Sequence, residues 1–269
     1  MDDECKPNRE EFDWAVCLFN NKGEDRAYFV HLYMLQETMK NGQPGQALVC
    51  FLNHWNMRLD TVTTVTAINK WYTDKVAKNL QYLTQENLSE IDLNKGTIIG
   101  SIIDLYRGLY RLKGIKDTGA SKILHLFIPE LFVMWDNPIR QHYIGDCKGP
   151  GAYILFMKKM QEIANHLRDE NGNIFNDIYA HVKEPLEDNL KTVLHKKENI
   201  KNIMKFIKEN RIIKTPNDGE SSEYIVEKTI TQFVDKRYSI DKYIDAKFID
   251  EYNWIVFTKK CIIPPVLHP

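Results

Sequence analysis

Between Leu112 and Arg140 the chain places a lysine-rich glycine turn ahead of a single carboxylate. The stretch Leu112-Lys-Gly-Ile-Lys-Asp-Thr-Gly-Ala-Ser-Lys-Ile-Leu124 reads as a tight turn between two helices. It is followed by Phe132-Val-Met-Trp-Asp-Asn-Pro-Ile-Arg140, in which Asp136 lies sixteen residues beyond Ala120. A turn that opens a helix leaves backbone N–H groups unpaired at the positive end of the helix dipole, and such donors suit a phosphate. Gly114 allows the tight turn, and Lys113, Lys116 and Lys122 add positive charge. A fixed carboxylate such as Asp136 can stabilise a developing cation, or orient and deprotonate a water. The same residues also have a structural reading. Gly114 and Gly119 would then end one helix and admit close packing of the next, and Asp136 would cap a helix beginning near Asn137-Pro138. For Asp136 the two readings are compatible.

Taken together, these residues resemble the signature of the helix-hairpin-helix base-excision DNA glycosylases, Leu-Pro-Gly-Val-Gly-x-Lys/Ser-Thr-Ala, then an apolar helix, then Val-Asp-Thr-x-Val-x-Arg. Leu112, Gly114, Ala120, Asp136 and Arg140 fall on signature positions without a gap. The matched stretch is residues 112–140, with a weaker similarity over residues 45–167. The resemblance implies a mainly α fold, a glycosylase-like helical domain with its hairpin at 112–124, and DNA as partner. It assigns DNA contact to Lys113, Gly114, Lys116, Thr118, Gly119, Lys122 and Arg140. It assigns the chemistry to Asp136, whose carboxylate would face the oxocarbenium-like sugar formed as an N-glycosidic bond breaks. Arg140, four residues on, would pair with the acid or contact phosphate.

Two departures refine that expectation. The signature's second hairpin glycine is Lys116, which would be strained if the position requires positive φ. The position that carries a lysine in members with lyase activity holds Thr118, which cannot form a Schiff base. Adenine-excising members also carry a hydroxyl residue there and keep the acid, so the resemblance implies a monofunctional enzyme that leaves an abasic site. The base must leave the duplex for chemistry, which calls for planar and hydrogen-bonding neighbours. Trp135 and Tyr143 flank the acid, and Asn53, Trp55, Asn56 and Arg58 end an upstream apolar run where the family places pocket or wedge residues. The alternatives are core packing for the aromatics and helix capping for the polar group. A branch directed at hypermodified phage bases, as antiviral defence, is compatible with the altered hairpin.

The elements that must hold these residues read mostly as helix. Ile98, Ile99, Ile102, Ile103, Tyr106, Leu109 and Tyr110 recur at three and four residues, predicting an amphipathic helix that ends before Gly114. Ala152, Leu155, Phe156, Met160, Ile163 and Leu167 repeat the pattern, as do Ile200, Ile203 and Ile207. Breaks fall at Asn41–Gly45, Gly145–Gly151, near Asn171-Gly-Asn and at Thr215–Ser222. The last divides residues 1–214, the helical domain, from 215–269, a small C-terminal appendage. Its apolar run Trp254-Ile-Val-Phe257 reads as either a short strand or a buried tail.

At 269 residues, with 43 % hydrophobic and 27 % charged residues, the chain can bury a core without cross-links. The acidic, polar start does not resemble a signal peptide, and no apolar run reaches membrane-span length, so a cytoplasmic protein is expected with no membrane partner and no obligate protein partner evident. Five scattered cysteines show no paired metal spacing, and only Cys261 lies near the end, so the sequence assigns no iron–sulfur cluster, metal or other cofactor. A net charge of −1 does not favour nucleic acid. Locally, however, Arg107, Arg111, Lys113, Lys116 and Lys122 face only Asp104 and Asp117. Three functions therefore compete: a DNA glycosylase, a non-catalytic helix-hairpin-helix DNA-binding protein, and an all-helical interaction module.

Overall fold

A computed structural model describes residues 6–21, 28–76, 79, 82–83, 86–169, 177–178, 180–182 and 244–261. The expected helices at Ile200–Ile207, the breaks near 171 and 215–222 and the boundary at 214/215 lie outside these residues. Among the described residues the regular structure is helical, with no strand. The helices are α1 (Arg9–Asn21), α2 (Tyr28–Lys40), α3 (Gly45–His54), α4 (Thr61–Trp71), α5 (Gly96–Tyr110), α6 (Asp117–Phe127), α7 (Asn137–Ile144), α8 (Gly149–Asp169) and α9 (Ile244–Asn253). A π-helical turn continues α4 through Tyr72–Val76, and another continues α9 through Trp254–Thr258. None of the described helices is long and apolar enough to cross a membrane.

The apolar periodicity maps onto this arrangement directly. In α5, Ile98, Ile102, Leu105, Tyr106 and Leu109 are buried. They meet α8, where Ala152, Phe156, Met160, Ile163 and Leu167 are buried as the spacing predicts. Leu155 departs from that stripe and is 53 % exposed, because its neighbours Ile154 and Phe156 already occupy the inward face. Where α5 and α8 meet, the rings of Tyr106 and Tyr153 stack at 4.7 Å, and Trp135 stands edge-on to Tyr153 at 5.1 Å. Each such pair adds about 0.5–1.5 kcal/mol to the area it buries.

The Trp254–Phe257 run is neither strand nor simple tail: it forms the π-helical turn, with Ile255 fully buried. Together with α9 it packs against α1, α7 and α8. Phe248, Ile249 and Ile255 join the same hydrophobic core as α1 and α5. The described part of residues 215–269 is thus woven into the helical body.

Candidate active site

The hairpin is formed by α5, the turn at residues 111–116 and α6. Gly114 has φ +85°, the left-handed region where a side chain is strained, and an added Cβ there would also lie 2.8 Å from Leu59 Cδ2. Lys116 does not need positive φ. It caps α6 in an extended conformation (φ −110°, ψ −162°), so the expected strain is absent and the turn accommodates lysine. Lys113, Gly114 and Lys116 are exposed, as are Arg107 and Arg111, which gives the hairpin a basic outer face. Thr118 is half-buried in the first turn of α6, and Gly119 is buried, where a Cβ would meet Met57 Cε at 2.9 Å.

After a turn at residues 129–131 the segment between α6 and α7 runs without regular structure to Asp136, and several of its backbone groups pair with side chains of α6 and α8. Ser121 accepts a hydrogen bond from Trp135 N (3.2 Å) and lies 3.3 Å from Trp135 O. Tyr153 donates to Val133 O at 2.9 Å. His125 Nδ1 contacts Phe132 O, which as a carbonyl only accepts, so the proton sits on Nδ1 and Nε2 accepts from Tyr28 Oη at 2.8 Å. Hairpin residues Ser121 and His125 thereby fix the approach to Asp136.

Asp136 is the N-cap of α7: Oδ1 accepts from Ile139 N at 3.1 Å, and Pro138 sits in the first turn. Its second oxygen, Oδ2, accepts from Thr258 Oγ1 at 2.6 Å, across 122 residues of sequence. The carboxylate opens onto a narrow cleft lined by Trp55, Lys122, Met134, Trp135, Asp136, Ile139, Asp250 and Trp254. Trp55 and Trp254 meet edge to face at 4.9 Å, and Lys122 Nζ lies 3.5 Å from the Trp55 ring centre. Cation–ring contacts this close contribute about 0.5–2 kcal/mol, more where water is excluded.

Asp250 is 5 % exposed, and burial pushes its carboxyl up to about 7. The positive charges of Lys247 and Lys122 oppose that rise, and the negative charges of Glu251 and Asp136 reinforce it. A group held there exchanges its proton near neutral pH.

The structure brings together only some of the sequence-predicted residues. Asp136, Trp55 and Trp135 line the cleft, although most of the Trp135 ring is committed to the aromatic core. Lys122, expected on the basic DNA-facing surface, is 5 % exposed and lines the cleft instead, because it follows Thr118 by one helical turn on the inner side of α6. Arg140 pairs with neither the acid nor an external group. It is 5 % exposed, and Nη1 donates to the carbonyls of Gly145 (2.7 Å) and Cys147 (3.0 Å), closing the end of α7. Asn53 is a loop staple: it donates to Leu59 O (3.2 Å) and accepts from Leu59 N (2.6 Å). Tyr143 is outside the cleft lining and donates to Asn253 Oδ1 at 2.9 Å. Asn56 and Arg58 are exposed at φ +63° and +52°, strained positions for residues with side chains. Their loop rests on the hairpin through Met57 against Gly119 and Leu59 against Gly114.

Asp250, Trp254, Met134, Ile139 and Thr258 complete the site without having been singled out as site residues in the sequence. Of these, Trp254 lies in the apolar Trp254–Phe257 run and Met134 and Ile139 in the stretch around Asp136, whereas Asp250 and Thr258 carry no signal in the sequence. No family model, curated protein or solved structure matches this chain.

Proposed function

We propose that the protein is a monofunctional DNA glycosylase, and the observation that carries this reading is the geometry around Asp136. A hairpin with a basic outer face is tied through Ser121 to a carboxylate at a helix start, and that carboxylate borders a cleft walled by two tryptophans. Phosphate contacts at Lys113 and Lys116 would hold the backbone, and the strained Asn56–Arg58 tip would fill the gap left by a flipped base. Trp55 and Trp254 supply apolar faces for the base. Asp136 faces the sugar carbon as positive charge develops there, and takes the proton of the attacking water. Asp250 holds a proton near neutral pH that the departing base can accept. As it stands the cleft has room for little more than a water, so any base would enter only if the Trp55–Trp254 pair parts.

The test is base release from a panel of duplexes containing lesions, uracil, mispaired adenine and glucosylated hydroxymethylcytosine. An abasic site formed on any of them supports the reading and names the base. No release, with salt-sensitive binding intact, leaves a non-catalytic hairpin DNA-binding protein. One observation favours a second reading of the chemistry: the buried amine of Lys122 shares the cleft with Asp136. Strand cleavage trapped by borohydride on Lys122 would make the enzyme bifunctional.

Two further outcomes are expected. Replacing Lys113 and Lys116 together by alanine weakens duplex binding uniformly across sequences and lowers the slope of log affinity against log salt by about 2. The rate of base release falls as pH rises through about 7, because Asp250 must be protonated to act as the acid. That descending limb is absent from Asp250→Asn, as a single-turnover pH profile would show.

A further inference from the structure

Away from the cleft, Asp13 and Cys17 project from one face of α1, four residues apart, toward His181. Their donor atoms, a carboxylate oxygen, Sγ and an imidazole nitrogen, all lie within 4.8 Å of one another. Cys17 Sγ is 3.5 Å from Asp13 Oδ1, and His181 Nδ1 is 3.3 Å from the same oxygen. Zinc bonds of about 2.3 Å to sulfur, 2.0–2.1 Å to nitrogen and 2.0–2.2 Å to oxygen, at tetrahedral angles, require O···S and N···O separations of about 3.5 and 3.3 Å. Two of the three edges therefore match those of a zinc tetrahedron, and the third, between Cys17 Sγ and the His181 ring, lies within 4.8 Å, close enough for a side-chain adjustment to complete the set.

We infer that Asp13, Cys17 and His181 bind a divalent transition-metal ion of the zinc type, with water as fourth ligand. Mixed thiolate, imidazole and carboxylate donors select zinc over magnesium or calcium, which take oxygen alone. Hydrogen bonding among the three side chains occupies the site when metal is absent, and the ion replaces the protons between them. The ion is a staple. Arg9, four residues before Asp13, already pairs with Asp177, four residues before His181, so a metal bond adds a second contact that holds His181 as well as Asp177 to α1. The sequence could not show this, because the third donor comes from 164 residues further on than Cys17.

The site is tested on the full-length protein, freed of metal with chelator under reducing conditions and titrated with cobalt(II) as an optical stand-in. The expected result is a one-to-one near-ultraviolet thiolate-to-cobalt band that zinc bleaches, together with a raised thermal midpoint. Cys17→Ser should abolish the band. His181→Ala should weaken cobalt binding by more than about 100-fold, beyond what losing a group behind a ligand costs. His181 is exposed, so that variant leaves the core untouched, and circular dichroism will show whether Cys17→Ser folds. Absence of the band in the wild type, or its persistence in folded Cys17→Ser, overturns the assignment.

Discussion

Asp136→Asn is expected to lower single-turnover base release by about 10²–10³-fold while duplex binding and the thermal midpoint stay close to wild type. In the proposed mechanism the side chain does three things at once, and asparagine preserves two of them. As an N-cap it accepts from Ile139 N, and asparagine caps as well as aspartate does. Its other oxygen accepts from Thr258, whose hydroxyl can rotate to accept from an amide NH₂ in its place. What asparagine cannot supply is negative charge toward a developing oxocarbenium ion, or a base for water. A large loss of rate with unchanged binding therefore isolates the chemical role. A melting point several degrees lower, with binding lost in parallel, would reduce Asp136 to its capping role.

Acidification from pH 7 to 4.5 is expected to remove about 5 kcal/mol of folding stability at two buried histidines, a loss partly offset as the buried carboxyl of Asp250, raised to about 7, takes its proton. Burial pushes both His31 and His125 down to about 3, with the charges of His54 on the first and of Lys247 and Lys122 on the second adding to the effect. The hydrogen bond to the Phe132 carbonyl works the other way on His125. In the unfolded chain both rings take a proton near pH 6.5. The folded state refuses that proton, so the stability these rings contribute is nearly complete above pH 6.5 and falls as pH drops toward 3, by roughly 2–3 kcal/mol per ring at pH 4.5. Urea unfolding at the two pH values reads the difference. His31 Nδ1 has no hydrogen-bond partner among the described residues, and the ring packs edge-on against Phe51 and His54. His31→Phe should therefore cost little at pH 7 and remove about half of the loss that the two histidines cause. An unchanged acid loss in that variant would mean that other groups govern it.

These residues also show what a linear sequence reveals and what it hides. The stripe from Ile98 to Tyr110 and the glycine at 114 were legible because a helix face and a left-handed turn are decided within a few residues. The cap at Asp136 was legible for the same reason. Lys122 was misplaced because charge alone cannot say which side of a helix turns inward; that depends on Trp55 and Trp254 offering rings for its ammonium. Arg140 was misplaced because the carbonyls it serves, at Gly145 and Cys147, belong to a loop whose path is fixed only in three dimensions. Asp250 gave no signal, since an aspartate reads as surface until its burial is known.

The hydrogen bond between Thr258 and Asp136 also sets an order of events during synthesis. At roughly 5–20 residues per second, the ribosome takes about 6–24 s to travel the 122 residues from the acid to the hydroxyl. At the start of that interval the hairpin has already been synthesised, while Asp250, Trp254 and Thr258 do not yet exist. A partly made chain carries the hairpin but no walled cleft around its carboxylate. The cleft is completed only when α9 and the turn that continues it dock onto α7 and α8.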